Sequence, residues 1–259
     1  MRRVWGRRRG AGSMRGSTVR PEEALTDIDV TLLAGGLGSR MRGVSGDTPK
    51  VLAPIAGRAF LGHLLDHLAA YGARRVVLCL GHLADRVTAW LAQGDTNRSL
   101  DVVCQIEPSQ MGSAAALAYI RKDLKAGTVL VMSGDTFLDA DLRAFVASHR
   151  LSGAEASVLC VEVEDAARFG RVEVGPDSRV RQFLDKAPGR GVINAGVYLF
   201  SAAFLDRIAA SGASSLTRDV LHKMPPGTLH GHVAKARFID MGTPESLAVA
   251  ASVIGGRET

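Results

Sequence analysis

Apolar positions along the chain follow two rhythms. Short unbroken runs recur at 28–34 (IDVTLLA), 75–80 (RVVLCL), 101–106 (DVVCQI) and 128–133 (TVLVMS), and each reads as a strand. Between them lie longer segments with apolar residues three and four apart. Phe60, Leu61, Leu64, Leu65 and Leu68 predict a helix within 59–72 that stops at Gly72, and further helices are predicted over 83–92 and 112–122. Alternation of this kind predicts an α/β fold: a single Rossmann-like, mixed but mostly parallel sheet flanked by helices. After residue 150 the rhythm changes. ASVLCVEV (156–163), GRVEV (170–174), RVRQFL (179–184) and NAGVYLF (194–200) are strand-like with short turns between them, which predicts extra antiparallel strands on one side of the same sheet. No repeat or low-complexity linker follows residue 27, so 28–259 reads as one domain.

Composition changes this picture at one end only. The net charge is +6, but residues 1–20 carry seven arginines and no acid, so the other 239 residues sum to −1. The basic balance belongs to a Gly/Arg/Ser-rich stretch, and residues 1–27 are predicted to be a disordered extension rather than a nucleic-acid-binding surface. No apolar segment follows its arginines as a secretory signal requires, and no run reaches the roughly 18 apolar residues of a membrane span. Cys79, Cys104 and Cys160 lie far apart in apolar runs without metal-ligand spacing, which predicts buried free thiols and a cytoplasmic location.

The first strand runs into LAGGLGSRMRGVSGDTPK (33–50). A glycine turn leaving a strand at the carboxyl edge of such a sheet is where ligands bind. The GxxxxGK spacing of a P-loop is absent. A dinucleotide fingerprint starting at Gly36 would need its third glycine at Met41 and an acid near Arg58, so it fails twice. What fits is G-G-x-G-x-R with a later Pro-Lys. Amides from Ala34, Gly35, Gly36, Gly38 and Ser39 can wrap a triphosphate, while Arg40 offers a bidentate fork and Lys50 a compact charge aimed by Pro49.

This loop resembles the N-terminal signature of the sugar-1-phosphate nucleotidylyltransferases, and the resemblance continues in the family's order. SGDT (133–136), FGRVEV (169–174), FLDKAP (183–188), INAGVY (193–198) and FIDMGTP (238–244) carry it across about residues 28–250. It implies transfer of a nucleoside monophosphate from an NTP to a sugar 1-phosphate, with release of pyrophosphate. It also implies Mg²⁺ held by Asp135 and Asp240, with Arg40 and Lys50 as the catalytic cations. Gly170, Asp185, Lys186 and Asn194 would form the sugar-phosphate side, with Asp185 standing where the family more often has Glu. EPSQMGSAAAL (107–117) would supply Glu107, Gly112 and Ser113 to the nucleotide. Gly196 fits either the sugar pocket or simple strand packing. Arg218 and Asp219 are candidates for distal hydroxyls.

The second pKa of a phosphate monoester is about 6, so the attacking oxygen is already ionised at neutral pH and no general base is needed. That agrees with histidines such as His63, His67, His149, His222, His230 and His232 lying outside every motif. The chain ends 15 residues after Pro244, which leaves no room for the C-terminal β-helix of bifunctional relatives. The wider pattern looks most like guanylyltransferases acting on D-glycero-D-manno-heptose 1-phosphate. Uridylyl- or cytidylyltransferases, a non-catalytic regulatory subunit and a homo-oligomer stay open. No nucleic-acid or membrane partner is expected.

Overall fold

The computed structural model describes residues 23–36, 48–94 and 99–254. In chain order its elements are β1 (Asp29–Ala34), a small hairpin of β2 (Pro54–Ile55) and β3 (Arg58–Ala59), α1 (Phe60–Ala70), β4 (Arg75–Leu80), α2 (Ala84–Ala92), β5 (Asp101–Ile106), α3 (Ser113–Ile120), β6 (Thr128–Ser133), β7 (Thr136–Leu138) and α4 (Leu142–Ser152). The second half adds β8 (Ala156–Val163), β9 (Gly170–Val174), β10 (Val180–Lys186), β11 (Gly191–Ser201), α5 (Ala202–Ala210), β12 (His230–Ala234), β13 (Phe238–Asp240) and α6 (Pro244–Ile254).

Nine strands form one sheet in the order β10-β9-β11-β6-β1-β4-β5, with β8 on the far side of β11 and β12 beyond it. The β6, β1, β4 and β5 strands are mutually parallel, whereas β11 runs antiparallel to both β6 and β8. The mostly parallel sheet with antiparallel strands added on one side is therefore present.

Both faces of the sheet are buried along β1, β4, β6 and β8, which explains why these strands are unbroken apolar runs. Along β1, β4 and β6 the residues alternate between two cores. Val30, Leu32, Leu78, Leu130 and Met132 meet α1 and α4 through Phe60, Leu64, Leu65 and Phe145. Val77, Cys79, Val129 and Val131 meet α3 and α5 through Leu117, Ile120, Phe204 and Ile208. Cys79 and Cys160 are buried, and burial pushes their thiols up to about 12. Cys104 is only half-buried, against expectation, because β5 is an edge strand; its thiol is still raised to about 11.

The amino-terminal boundary also differs from expectation. Residues 23–27 form turns, Leu25 is fully buried in the core, and its amide donates to the Tyr71 carbonyl at 2.9 Å. The folded unit thus begins ahead of residue 28; residues 1–22 of the predicted disordered extension lie outside the described residues. Among the described residues no helix is long and apolar enough to cross a membrane.

At the edge opposite the glycine turn, Asp29 is buried and accepts from the amides of Lys125 and Ala126, the latter at 3.0 Å. Arg75 lies 3.5 Å from Asp29 and 3.8 Å from Asp101, and donates to the Asp123 carbonyl at 2.6 Å. This network ties β1, β4 and β5 to the loop that enters β6. Asp29→Ala would leave two part-buried amides and a mostly buried guanidinium short of an acceptor. A loss of about 3 kcal/mol is expected, read as a fall in melting temperature of roughly 6–12 °C.

A second polar seam joins α4 to the sheet. His149 Nδ1 lies 2.7 Å from Ser157 Oγ, and His230 Nε2 lies 2.8 Å from Ser148 Oγ. Burial first, then His230 and Arg150, lowers the His149 pKa; burial, Arg179 and His232 lower that of His230. Burial also lowers His232, against an opposing effect from Asp141. Folded-state values below the ordinary 6.5 mean that the unfolded chain binds more protons as the pH falls through that value. Stability should therefore drop progressively below about pH 6.5, and a thermal-melt series in His230→Asn should show a shallower acid limb.

Candidate active site

The carboxyl ends of β1, β4 and β6 come together with little room between them. A β-carbon on Gly35 would stand 2.3 Å from Glu107 Oε1, and one on Gly81 would stand 2.7 Å from the Gly35 carbonyl oxygen. Gly81 has no room for a side chain against that backbone, whereas at Gly35 the obstacle is the end of the Glu107 side chain. Gly81 was not singled out from the sequence, although its position directly after an apolar run is the same signal. Glu107 itself is braced by the Met111 amide at 3.2 Å. Burial raises its pKa, partly offset by that amide. Ala34, Gly35 and Gly36 are thus placed at the sheet edge beside Glu107. Gly38, Ser39 and Arg40 lie outside the described residues.

Asp135 follows β6 in the turn that leads to β7. Lys50, on the single helical turn Lys50–Leu52, reaches it: Nζ lies 3.3 Å from Asp135 Oδ2, with the lysine side chain 16% exposed and the aspartate 40%. β13 pairs antiparallel with β7, putting Asp240 opposite Thr136, and the Met241 amide donates to the Asp135 carbonyl at 2.8 Å. Residues more than a hundred positions apart are thereby neighbours on one two-stranded ribbon. Asp240 Oδ1 accepts from the Gly242 amide at 2.6 Å, and its Oδ2 faces Arg168 Nη2 at 3.9 Å. Arg168 also donates to Ser246 Oγ at 3.2 Å. Sequence reasoning did not single out Arg168, because its pairing with Asp240 depends wholly on tertiary placement.

The β11 strand bulges between Asn194 and Val197, where it exchanges β9 for β6 as its neighbour. Gly196 sits in this bulge at φ +72°, and a β-carbon there would be 2.9 Å from Ser133 Oγ. Of the two readings of Gly196, strand geometry is the one the structure supplies. Asn194 helps to fix the same bulge. Its Oδ1 accepts from the Gly196 amide at 2.9 Å, and its Nδ2 donates to the buried Tyr198 hydroxyl at 2.9 Å. The bulge sets Gly196, which Asn194 holds, against Ser133 and Thr136, the residues that flank the Gly134–Asp135 turn.

Gly112, at φ +89°, presses its backbone on Ser214, where a β-carbon would meet Ser214 Oγ at 2.6 Å. Ser113 Oγ accepts from the Leu216 amide at 2.8 Å, and the Ala114 amide donates to the Ser214 carbonyl at 2.8 Å. The Ser113 hydroxyl is therefore committed to fixing the start of α3. The amides of Gly112 and Ser113 have no acceptor among the described residues, as expected for the open end of a helix. Asp219 Oδ2 accepts from the Ser214 and Ser215 amides at 3.2 and 2.7 Å, so it holds this segment, while Arg218 is exposed.

Gly170 and Lys186 face each other across the β9–β10 hairpin. Asp185 and Lys186 are exposed, and neither makes a hydrogen bond or ion pair among the described residues. They are not in contact with Asp135 or Asp240. Among the described residues no three His, Cys, Asp or Glu side chains gather as a metal cage. The donor set is two aspartates on one ribbon, which suits a hard cation that completes its shell with phosphate oxygens and water.

The profile of the nucleotidyl transferase family matches residues 30–255. A mannose-1-phosphate guanylyltransferase of Mycobacterium tuberculosis is 32% identical over 227 residues, 86% of this chain, which spans 63% of that protein's length. A D-glycero-alpha-D-manno-heptose 1-phosphate guanylyltransferase of Aneurinibacillus thermoaerophilus is 28% identical over 84% of this chain and 94% of its own. The crystal structure of HddC from Yersinia pseudotuberculosis superposes with a TM-score of 0.78 at 32% identity, covering 87% of this chain and 98% of that one, and a second HddC structure contains GMP-PN. With the sheet order, the glycine turn and the two aspartates in place, the chain belongs to the nucleotidyl transferase family.

Proposed function

We propose that the protein is a Mg²⁺-dependent sugar-1-phosphate guanylyltransferase, converting GTP and a sugar 1-phosphate of the mannose or manno-heptose type into GDP-sugar and pyrophosphate. The observation that carries this reading is the ribbon that sets Asp240 beside Asp135 with Lys50 already paired to the latter. The guanine preference draws on the two guanylyltransferase relatives and on the GMP-PN bound to HddC.

The chemical problem is repulsion between a phosphate monoester dianion and a triphosphate. An oxygen of the sugar 1-phosphate attacks the α-phosphorus, the bond from that phosphorus to the bridging oxygen of the β-phosphate breaks, and pyrophosphate leaves. The nucleophile needs no base, so catalysis reduces to placement and charge neutralisation. Asp135 and Asp240 would hold Mg²⁺, which when bound supplies positive charge to the phosphates. Lys50 exchanges Asp135 for phosphate oxygens, and Arg40 adds a second cation to the departing pyrophosphate. Amides of Ala34, Gly35, Gly36, Gly38 and Ser39 wrap the triphosphate. The Gly112 and Ser113 amides meet the base side, with Glu107 bracing the glycine turn against it. Lys186 takes the sugar phosphate, Asp185 and Asn194 the sugar, and Gly170 lets the sugar lie against backbone.

A pyrophosphate-release screen of GTP, ATP, UTP, CTP and dTTP against a panel of sugar 1-phosphates should give its highest rate with GTP and a manno-configured partner. Release from no pair would overturn the enzymatic reading in favour of a regulatory subunit. Asp135→Ala and Asp240→Ala should each lose Mg²⁺-dependent turnover while keeping the wild-type circular dichroism spectrum. Lys50→Met should lower kcat about 10²- to 10³-fold, and wild-type turnover in that variant would remove Lys50 from the mechanism.

A further inference from the structure

Arg171 lies on β9 one position after Gly170, and nothing in the chemistry above uses it. By register it sits opposite Leu184 of β10 and Ile193 of β11. Its guanidinium leaves the strand and turns to the link that follows Lys186. Nη2 lies within reach of three successive carbonyl oxygens, at 3.2 Å from Ala187 and 3.1 Å from Gly189, with Pro188 between them. That link is compact. Pro188 precedes Gly189 at φ +88°, the sequence and conformation a type II turn requires. Its other side is tied down as well, since the Gly189 amide donates to Asp165 Oδ1 at 3.1 Å and the Ala166 amide donates to the Gly189 carbonyl at 3.0 Å.

Strand packing does not account for a guanidinium at this place. Its Nε is buried without a hydrogen-bond partner among the described residues, a cost of about 1–3 kcal/mol that an aliphatic side chain would avoid. The three carbonyls account for it. Their dipoles converge on one spot next to Lys186, and without a cation they would form a negative hollow beside the place where a phosphate dianion has to sit. Lys186 and Asp185 depend on this backbone more than most strand residues do. Neither side chain has a partner among the described residues, and the β9–β10 ladder is irregular between Leu184 and Lys186. The turn after Lys186 must supply the rigidity that the ladder before it lacks.

We propose that Arg171 is a positioning residue for the sugar-phosphate half of the site, locking and neutralising the 187–190 turn so that Lys186 and Asp185 face the sugar 1-phosphate. This inference rests on the reading that Lys186 meets that phosphate, so Lys186→Ala is measured alongside. Steady-state kinetics are run with each substrate varied in turn, for Arg171→Ala, Arg171→Lys and Gly189→Ala. Arg171→Ala should raise KM for the sugar 1-phosphate about 10- to 100-fold, with KM for GTP and kcat at saturation within about 2-fold of wild type. Arg171→Lys, which keeps a cation that can bond carbonyls, should recover part of the loss. Gly189→Ala, which strains the same turn and leaves the guanidinium intact, should raise the same KM. If Lys186→Ala raises KM for the sugar 1-phosphate but Arg171→Ala and Gly189→Ala leave it unchanged, or move both substrates' KM equally, the inference is overturned. An unchanged KM in Lys186→Ala would instead overturn the underlying placement of the phosphate.

Discussion

One backbone hydrogen bond, from the Met241 amide to the Asp135 carbonyl, closes the ribbon on which the site depends. Asp135 emerges from the central parallel sheet, whereas Asp240 arrives after the whole antiparallel half of the chain has been laid down. Each aspartate is met by a cation from yet another element, Lys50 for Asp135 and Arg168 for Asp240. These exposed or half-exposed pairs are worth little to stability. Their value, in the function proposed, is that charged groups from four parts of the chain stand where a dication and phosphates would replace their present partners.

The rest of the architecture keeps that edge crowded and stiff. Glycines let backbones touch where β1, β4 and β6 end, while the β11 bulge puts Gly196 against Ser133. On the side proposed for the nucleotide, the segment from Ser214 to Leu216 pins the start of α3, leaving the Gly112 and Ser113 amides without an acceptor among the described residues. The side proposed for the sugar phosphate is built differently, from an irregular hairpin end and the turn Arg171 holds. The two halves of the site thus differ in origin: one is a feature of the parallel sheet, the other of the strands added to it.

Much of this fold was legible because its central strands are buried on both faces and therefore uninterrupted, while β9 alternates and is bounded by glycines. The runs at 128–133, 156–163 and 170–174 match β6, β8 and β9 residue for residue. The β7 strand, three residues long, gives periodicity nothing to work with, and β12 carries two histidines in five residues because its side chains join a polar seam. Helix α4 was readable in principle, since Leu142, Phe145, Val146 and His149 form its buried stripe, but the histidine in that stripe disguises it. The alanine-rich α6 offers only a weak apolar contrast. For the site, the order of short motifs named Lys50, Asp135 and Asp240, but no spacing along the chain could join them. Arg168 and Arg171 look like ordinary surface arginines until the fold shows what faces them.

The same logic explains why the catalytic reading needs no titrating group at neutral pH. A hydrolase must make a nucleophile from water, and so keeps a base with a tuned pKa within reach of it. In the reaction proposed, the nucleophile arrives ionised, and a base would only compete for the cations that must meet phosphate. His149, His230 and His232 are committed to the seam between α4 and the sheet. Glu107, an acid beside the glycine turn whose pKa burial raises, faces Gly35 and the Met111 amide. A reaction whose obstacle is anion–anion repulsion selects fixed cations, open amides and rigid backbone, and these are what this sheet edge gathers.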